Sequence, residues 1–326
     1  CWTMNPKLFD VKVVQIRQLT PRVREYLLTT ANGAPLPTWT AGAHIALHLT
    51  SPTRGLVVRH YSLIGGGELQ DDSPNTYRIA VQREEHGFGS NLIHETFKAG
   101  TALRIGPPVN SFALDRSAPK VLLLAGGIGI TPLVPMARSL LRRKRSFQMV
   151  YSRRSVDQMA YAQALQEMCG EALQLQCSDT DGMLDIKKLL AAQDLDTQVY
   201  VCGPTPFINA AIDAAKSLKW EEGRLRSEAF ISSVLAGDTP FKVSLQRSGR
   251  DVEVRGDESL LDALSNARIP VFWDCRKGEC GLCATKVVSH DGELQHRDRY
   301  LTDEEKQQGQ SMCLCVSRTN GKSLVL

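Results

Sequence analysis

A group of cysteines near the C-terminus constrains this chain more than any other feature of its sequence. Nine cysteines occur in 326 residues, and five of them follow residue 274, namely Cys275, Cys280, Cys283, Cys313 and Cys315. The first three have the spacing C-x4-C-x2-C, which is typical of plant-type [2Fe–2S] domains. Such a loop supplies three of the four thiolates that the two irons need. Spacing alone leaves Cys313 and Cys315 as alternatives for the fourth ligand.

Two glycines inside the cysteine loop favour a cluster over a single metal ion. Gly278 and Gly281 allow backbone N–H groups to approach the cluster sulfurs, where hydrogen bonds tune the reduction potential. The alternative is a structural zinc module, although zinc sites usually consist of paired C-x2–4-C knuckles. A disulfide scaffold is not expected in a chain of this length with an odd number of cysteines.

Composition and charge exclude several other classes of protein. Hydrophobic residues make up 42% of the chain and charged residues 23%, which is ordinary for a globular protein. The net charge of +4, from 39 basic and 35 acidic residues, is too small for a nucleic-acid-binding surface. The longest nearly apolar run, Val121–Ile130, is too short to span a membrane. We therefore expect no nucleic-acid or membrane partner and a cytoplasmic location.

The pattern of hydrophobic residues divides the chain into three domains. Short alternating runs such as Val11–Ile16, Ile45–Leu49 and Tyr77–Val81, interrupted by Gly, Pro and Asn, predict an antiparallel β-barrel. From Lys120 onwards, apolar strands alternate with helices, which predicts an α/β domain with a parallel sheet. The predicted boundaries are 8–114 for the barrel, 115–230 for the α/β domain, 231–240 for a linker and 241–326 for the cysteine-bearing domain.

A glycine-rich turn follows the first strand of the α/β domain. Gly126, Gly127 and Gly129 stand between the strand Val121–Leu124 and a helix that opens at Thr131. Free N–H groups at a helix N-terminus are suited to a phosphate, so the turn predicts a nucleotide site. The glycines do not fit G-x-G-x-x-G, and a tight β–α turn without a ligand is the alternative.

A second motif of the α/β domain supports the nucleotide site. Cys202, Gly203 and Pro204 end another predicted strand. Ligands of parallel sheets bind at the carboxyl ends of strands, so these residues are candidates for the same site.

The barrel carries two motifs that suit a flavin. Arg59, Tyr61 and Ser62 lie on one strand, where arginine binds a phosphate, tyrosine packs on the ring system and serine donates to it. Further along, a glycine-serine turn precedes a predicted helix, Leu92–Phe97, and offers a second phosphate site. Its residues are Gly87, Gly89 and Ser90. Each motif alone is a common string, but their order ahead of a nucleotide domain and a cluster domain makes coincidence improbable.

Taken together, these motifs resemble the phthalate dioxygenase reductase family, the single-chain reductases of Rieske oxygenases. The resemblance covers nearly the whole chain, in the order flavin barrel, NAD domain and C-terminal ferredoxin domain of the β-grasp type. The family's A-G-G-I-G-I-T-P loop stands complete from Ala125 to Pro132, and its closing C-x-S-R corresponds to Cys315, Ser317 and Arg318. The resemblance therefore selects Cys315, rather than Cys313, as the fourth cluster ligand.

The resemblance also implies cofactors, partners and residues next to the reacting ring. It implies FMN, with FAD as the alternative, NADH, with NADPH as the alternative, and a [2Fe–2S] cluster. It implies a monomer that passes electrons to the Rieske centre of a separate oxygenase. Ser62 and Phe230 are the residues implied beside the flavin ring, with a core role as the alternative for Phe230. The competing functions are a free-standing NADH-dependent flavin or ferric reductase and the zinc module.

Charged residues of the cysteine loop are expected to face the partner. Arg276, Lys277 and Glu279 stand between the first two cysteines. Charges at a rim guide the encounter between electron-transfer proteins. Solvated loop charges without a binding role are the alternative.

Overall fold

The computed structural model describes residues 7–53, 55–65, 75–85, 87–230, 234–235 and 237–326. Contacts between Cα atoms divide them into two compact units. The first unit comprises the described residues of 1–49, 59–83 and 90–230, and the second those of 50–58, 84–89 and 231–326. The domain boundaries derived from the sequence stay predictions. Within the described part of the chain, no helix is long and apolar enough to cross a membrane.

The N-terminal part forms a six-stranded sheet in the order β4-β3-β6-β1-β2-β5. Its strands are β1 (Phe9–Thr20), β2 (Val23–Thr30), β3 (His44–Ser51), β4 (Gly55–Ser62), β5 (Thr76–Gln82) and β6 (Ala102–Ile105). The pairs β1–β2, β1–β6, β2–β5 and β3–β6 are antiparallel. Alternate side chains such as Val11 and Val13 are buried, as a half-buried strand requires. The predicted antiparallel barrel is confirmed.

One helix of this part begins earlier than the sequence predicts. Helix α1 spans Phe88–Thr96, whereas the apolar pattern predicted Leu92–Phe97. The reason is that Gly89 and Ser90 take helical conformation within the first turn instead of forming a turn before it. Sequence reasoning assigned both residues to a loop because of their low helix propensity, which tertiary structure overrides here.

The α/β domain contains a five-stranded parallel sheet in the order β11-β10-β7-β8-β9. The strands are β7 (Lys120–Gly126), β8 (Ser146–Arg153), β9 (Leu173–Cys177), β10 (Thr197–Gly203) and β11 (Leu225–Ala229). The helices are α2 (Ile130–Arg142), α3 (Ala162–Cys169), α4 (Ser178–Asp181), α5 (Ile186–Ala191) and α6 (Thr205–Ser217). Residues 121–125 are buried throughout, because helices cover both faces of a parallel sheet. The strand order reverses between β7 and β10, and such switch points bind ligands.

The C-terminal part contains the predicted hairpin and helix of a ferredoxin domain. Strands β12 (Phe241–Leu245) and β13 (Arg250–Val254) are antiparallel, and helix α7 (Leu260–Asn266) coincides with its predicted range. The Ser259 hydroxyl accepts a hydrogen bond from the backbone N–H of Asp262 and so caps α7. The remaining elements are β14 (Ala284–Lys286), β15 (Ser289–His290), β16 (Leu294–Gln295), α8 (Asp303–Gln308), β17 (Ser311–Cys313), β18 (Arg318–Thr319) and β19 (Ser323–Val325). The main sheet has the order β13-β12-β19-β15.

The end of the predicted linker is held by two arginines of the ferredoxin domain. Residues 231–233 and 236 of the predicted linker lie outside the described residues. Asp238 accepts hydrogen bonds from Nη1 and Nη2 of Arg297 at 2.8 and 2.5 Å. Arg318, which is 1% exposed, donates to the carbonyls of Thr239 at 3.1 Å, Arg255 at 3.0 Å and Glu258. Segments distant in sequence are therefore joined around one buried guanidinium.

We expect Arg318→Met to destabilise the ferredoxin domain by about 3 kcal/mol or more, because it leaves buried carbonyls without a donor. For a domain of this size, that loss lowers the unfolding midpoint by roughly 10 °C or more. The unfolding midpoint is measured by following the cluster absorbance as the temperature rises. Lys242→Ala is the control, since the Lys242–Asp251 pair is exposed and such pairs contribute little to stability. Equal midpoints for the two variants would contradict the expectation.

Candidate cofactor sites

The two predicted nucleotide motifs meet at the switch point of the parallel sheet. The register pairs Ala125 of β7 with Cys202 of β10, so the glycine turn and the C-G-P motif leave the sheet side by side. A Cβ on Gly129 would overlap the carbonyl oxygen of Cys202. A Cβ on Gly126 would lie 2.9 Å from the ring of Phe207. Glycine is therefore required at both positions for the two backbones to approach each other.

The side chain of Arg153 lies over the glycine turn. Gly127 has a φ of +57°, and a Cβ there would overlap the guanidinium of Arg153. Arg153 ends β8 and donates from Nη2 to Oε1 of Gln82 at 3.2 Å. A cation is thereby placed next to the backbone of the short 3₁₀ turn Gly127–Gly129 that leads into α2, a combination that suits an anion. Glycine at 127 permits the positive φ, but the sequence does not show which side chain approaches it.

Thr131 and Phe230 occupy different positions around this edge. Thr131 is buried, and its hydroxyl donates to the carbonyl of Ile128 at 3.0 Å, which stabilises the first turn of α2. Phe230 follows β11 directly and is 37% exposed. A core role for Phe230 does not fit this exposure.

The strand β4 carries a buried hydroxyl that suits a ligand. Ser62 is buried, and its Oγ has no hydrogen-bond partner among the described residues. An orphaned buried hydroxyl is rare, because it loses the hydrogen bonds that water would offer. Arg59 and Tyr61 of the same strand are half-buried. The residues present therefore fit a polar, aromatic group such as a flavin ring.

The glycine-serine motif lies at the start of α1. Gly87 precedes the helix, and Gly89 and Ser90 lie in its first turn, where Ser90 is buried. The backbone N–H groups of a first helical turn have no partner within the helix. An anion at this position would receive those hydrogen bonds.

Backbone N–H groups surround the first cysteine of the loop. The Sγ of Cys275 accepts hydrogen bonds from the N–H groups of Lys277 at 3.3 Å, Glu279 at 3.4 Å and Cys280 at 3.4 Å. Arg276 has a φ of +53°, which turns the chain so that these N–H groups converge on the sulfur. Such donors tune an iron–sulfur cluster through hydrogen bonds to its sulfurs, so the loop fits the predicted cofactor.

The thiols of Cys313 and Cys315 both contact the sulfur of Cys283. Hydrogen bonds from Cys313 and Cys315 lower the pKa of Cys283 well below its ordinary value, and the same contacts raise the pKa of both partners. Cys313 and Cys315 are both buried, so burial does not distinguish them either. Among the described residues, no group of three or more His, Cys, Asp or Glu side chains is gathered around a point that would suit one metal ion.

Other parts of the ferredoxin domain hold the cysteine loop in place. A Cβ on Gly278 would lie 2.7 Å from Cγ2 of Val316 and 2.9 Å from Cα of Asp298, and one on Gly281 would overlap the ring of Tyr300. Both glycines have a φ of +73°. They are therefore required by space as well as by backbone conformation.

The prediction that three charged residues of the loop face the partner is wrong for two of them. Lys277 is 6% exposed, and Arg276 donates from Nη2 to Oδ1 of Asp262 on α7 at 2.6 Å. The loop uses these charges for internal contacts because it is tightly packed against α7. Leu282 of the loop is 55% exposed, and Tyr300, a residue from outside the loop whose ring packs over Gly281, is 50% exposed.

Comparisons with known proteins agree with this architecture. Residues 243–320 match the family model of the 2Fe-2S iron-sulfur cluster binding domain. Residues 101–225 match the model of the N-terminal domain of dimethylamine monooxygenase subunit DmmA-like proteins. The match over 243–320 favours a [2Fe–2S] cluster over the zinc module.

Full-length relatives and a solved structure extend the likeness to the whole chain. The chain is 38% identical to the heme-dependent oxidative N-demethylase beta subunit of Ectopseudomonas mendocina, over 98% of both chains. It is 34% identical to the vanillate O-demethylase oxidoreductase of a Pseudomonas species, over 98% of this chain and 99% of that one. The structure of phthalate dioxygenase reductase superposes with a TM-score of 0.85 at 32% identity, covering 98% of this chain and 97% of that chain.

Fold, motifs and relatives define a modular electron-transfer oxidoreductase with a flavin barrel, an NAD domain and a [2Fe–2S] ferredoxin domain. The chain belongs to the phthalate dioxygenase reductase family. It is the reductase component of an oxygenase system rather than a free-standing flavin or ferric reductase.

We expect Cys315→Ser to lose the [2Fe–2S] absorbance while the flavin is still reduced by NADH, since the second iron loses a thiolate. Cys313→Ser is the matched control, because it removes the other thiol that contacts Cys283, and it should keep about two irons per chain. Iron and acid-labile sulfide analysis with visible spectra measures both. Loss of the cluster in Cys313→Ser, with a full cluster in Cys315→Ser, would reverse the assignment.

Proposed function

We propose that this reductase takes a hydride from NADH at the switch point of the parallel sheet and delivers single electrons to the Rieske centre of a separate oxygenase. The observation that carries the proposal is the contact between the glycine turn and the Cys202–Pro204 motif at the carboxyl edge of β7 and β10. In parallel sheets, ligands bind at this edge, where the strand order reverses. When bound, flavin and cluster convert the two electrons of a hydride into single electrons.

The first task of the chain is to bind the dinucleotide. Gly126, Gly127 and Gly129 offer backbone N–H groups at the start of α2, and Arg153 supplies a positive charge beside them. We assign the phosphates of the dinucleotide to this place. Cys202, Gly203 and Pro204 lie beside the glycine turn, and the hydroxyl of Thr131 stabilises the first turn of α2.

NADH is proposed over NADPH because of a carboxylate near the end of β8. Arg154 donates from Nε to Oδ1 of Asp179 at 3.3 Å. A carboxylate at such a position accepts hydrogen bonds from ribose hydroxyls and repels a 2′-phosphate. Arg154 itself would attract that phosphate, so NADPH is the alternative substrate.

We propose FMN as the flavin, in keeping with the resemblance to the family, and FAD as the alternative. Ser62 would donate from its unpartnered Oγ to the flavin ring, and Tyr61 would pack beside it. Arg59 and the first turn of α1, with Gly87, Gly89 and Ser90, supply phosphate-binding groups. Phe230 would cover the ring face until the nicotinamide replaces it.

The proposed cluster ligands are Cys275, Cys280, Cys283 and Cys315. The backbone N–H groups of Lys277, Glu279 and Cys280 donate to the Sγ of Cys275, as such groups do to cluster sulfurs, and Cys315 contacts Cys283. A monomer in the cytoplasm is proposed as the working form.

One relative favours an electron acceptor other than a Rieske centre. The resemblance to the reductases of Rieske oxygenases supports a Rieske centre. The relative from Ectopseudomonas mendocina is a subunit of an enzyme named as heme-dependent, so a haem oxygenase is the second candidate. Either acceptor receives its electrons from the cluster of the ferredoxin domain.

Arg59→Ala tests the flavin site in the purified protein. We expect flavin stoichiometry to fall about tenfold or more, since a charge-assisted phosphate contact contributes about 1.5–3 kcal/mol. The wild type should show flavin absorption over a broad [2Fe–2S] band, with both bleached by anaerobic NADH. Unchanged flavin content in the variant would disprove the role of Arg59. Absence of bleaching in a wild type fully loaded with cofactors would disprove the proposed function.

The acceptor is tested by rapid mixing under anaerobic conditions. The NADH-reduced protein is mixed with the Rieske component of a vanillate demethylase or with the haem subunit of a heme-dependent N-demethylase. We expect the Rieske absorbance to bleach at least about tenfold faster than the haem band shifts, a preference of about 1.4 kcal/mol. The opposite preference would replace the Rieske proposal with the haem candidate.

A further inference from the structure

A buried arginine connects the nucleotide helix to the strand that carries the flavin motif. Arg138 lies on α2, two turns after the glycine turn, and its side chain is buried. Its Nη2 donates to the carbonyl oxygen of Ile64 at 3.2 Å. Ile64 stands two residues after Ser62, just beyond the end of β4. One side chain thus spans from the NAD domain to the backbone beside the proposed flavin site.

Gly65, which follows Ile64, leaves the space that this contact needs. Gly65 has a φ of +112°, and a Cβ there would overlap the guanidinium of Arg138. Any other residue would have to displace the arginine from the backbone. Space and backbone conformation therefore both select the pair Gly65–Arg138.

The same stretch of backbone continues into a second buried network. The N–H of Ile64 donates to the carbonyl of Arg78 at 2.9 Å, and the Arg78 guanidinium forms an ion pair with Glu25. Glu25 is 2% exposed and accepts a hydrogen bond from the hydroxyl of Tyr161 at 2.7 Å. Tyr161 immediately precedes α3 and so belongs to the NAD domain. Burial and the Glu25 carboxylate raise the pKa of Tyr161, which keeps the hydroxyl protonated as a donor.

The network joins the NAD domain to the barrel at two points, α2 and α3, within the first compact unit. Buried charges of this kind contribute little net stability, because desolvation offsets their attraction. Their geometric effect is larger, since each fixed hydrogen bond removes freedom between the two elements that it joins. What such bonds fix here is the distance from the start of α2 to the end of β4.

We propose that Arg138 is a positioning residue for hydride transfer. It holds the carbonyl of Ile64 so that the helix that begins at the dinucleotide turn and the strand that ends at Ser62 stay in fixed register. The inference rests on the proposed function, in which the nicotinamide and the flavin occupy those two places. The hydride leaves C4 of NADH with both electrons of the C–H bond and adds to N5 of the flavin, so that NAD+ forms and the flavin is reduced.

Hydride transfer needs the reacting atoms about 3–3.5 Å apart, and a displacement of about 1 Å lowers the rate roughly 100-fold. A residue that fixes the two elements therefore acts on the rate constant at saturating NADH more than on NADH affinity. A residue with only a structural role would lower the unfolding midpoint and leave this rate constant unchanged. That difference separates the two roles.

The test compares Arg138→Gln with Arg143→Gln, which changes an exposed arginine directly after the same helix. Anaerobic stopped-flow measures flavin reduction over a range of NADH concentrations. In Arg138→Gln we expect a rate constant about 10- to 100-fold lower, with the Kd for NADH within about threefold of wild type and flavin content unchanged. The control should match the wild type, and Arg138→Lys should recover most of the rate because it keeps a cationic donor.

Two further measurements do not depend on turnover. The long-wavelength absorbance of the complex between NADH and oxidised flavin should weaken in Arg138→Gln, since it requires stacked rings. Amide hydrogen exchange of the flavin-free protein should increase in the peptides 59–65 and 130–142. Unchanged exchange and an unchanged rate constant would overturn the inference, as would a rate loss that saturating NADH restores.

If Arg138→Gln does not fold, the variant Tyr161→Phe tests the inference instead. Tyr161→Phe removes only the hydroxyl that donates to Glu25, and we expect a smaller fall in the rate constant, about three- to tenfold. A wild-type rate in Tyr161→Phe would then overturn the inference. Failure of NADH to reduce the wild-type flavin would instead overturn the proposed function.

Discussion

The close approach of two backbones at the carboxyl edge of the parallel sheet is the constraint on which the nucleotide site depends. Gly129 and the carbonyl of Cys202 lie so close that no Cβ fits between them, and Gly126 packs against the ring of Phe207. Without side chains at these positions, backbone N–H groups at the start of α2 stay accessible to a ligand. The order of the parallel strands also reverses at this point, between β7 and β10. Topology and local sequence therefore specify one site.

Buried charges in this chain connect segments that are distant in sequence. Arg318 joins three loop carbonyls and Asp238 in the ferredoxin domain, and Arg138 and Glu25 join the barrel to the NAD domain. Such groups lose hydration on folding, and apolar residues of equal volume would often be as stabilising. Their hydrogen bonds require specific directions, however, which apolar contacts do not. Fixed geometry between segments is what these residues provide.

Much of the fold could be predicted from local patterns. The buried run at 121–124 and the alternation of strands and helices after it predict a parallel sheet, and the limits of α7 follow from the Ser259 cap and the apolar residues of its first turn. The spacing of the cysteines predicts their loop for the same reason: the information lies within a few residues. Glycines at 126 and 129 are visible as a turn, although their contact with the C-G-P motif is not.

Several features that sequence reasoning missed depend on partners far along the chain. Tyr161 and Glu25 are 136 positions apart, and no periodicity connects them. Lys277 was expected at the surface because lysine is rarely buried, but the packing of its loop against Asp298 and α7 overrides that preference. The place of Arg153 over Gly127 brings together residues 26 positions apart, and the sequence does not show that they meet. Local sequence therefore predicts the elements, and the contacts between them have to be observed.

The division of the chain into two compact units agrees with the different demands of the two chemical steps. The first unit contains Ser62, the glycine turn and the C-G-P motif, and it carries the buried network that joins the barrel to the NAD domain. Hydride transfer forms and breaks bonds, so its partners need a geometry fixed to fractions of an ångström. The second unit contains the cysteines, and an electron moves without making a bond. Fixed contacts such as that of Arg138 are therefore required where the hydride moves, whereas the cluster needs only a loop that keeps its own sulfurs in place.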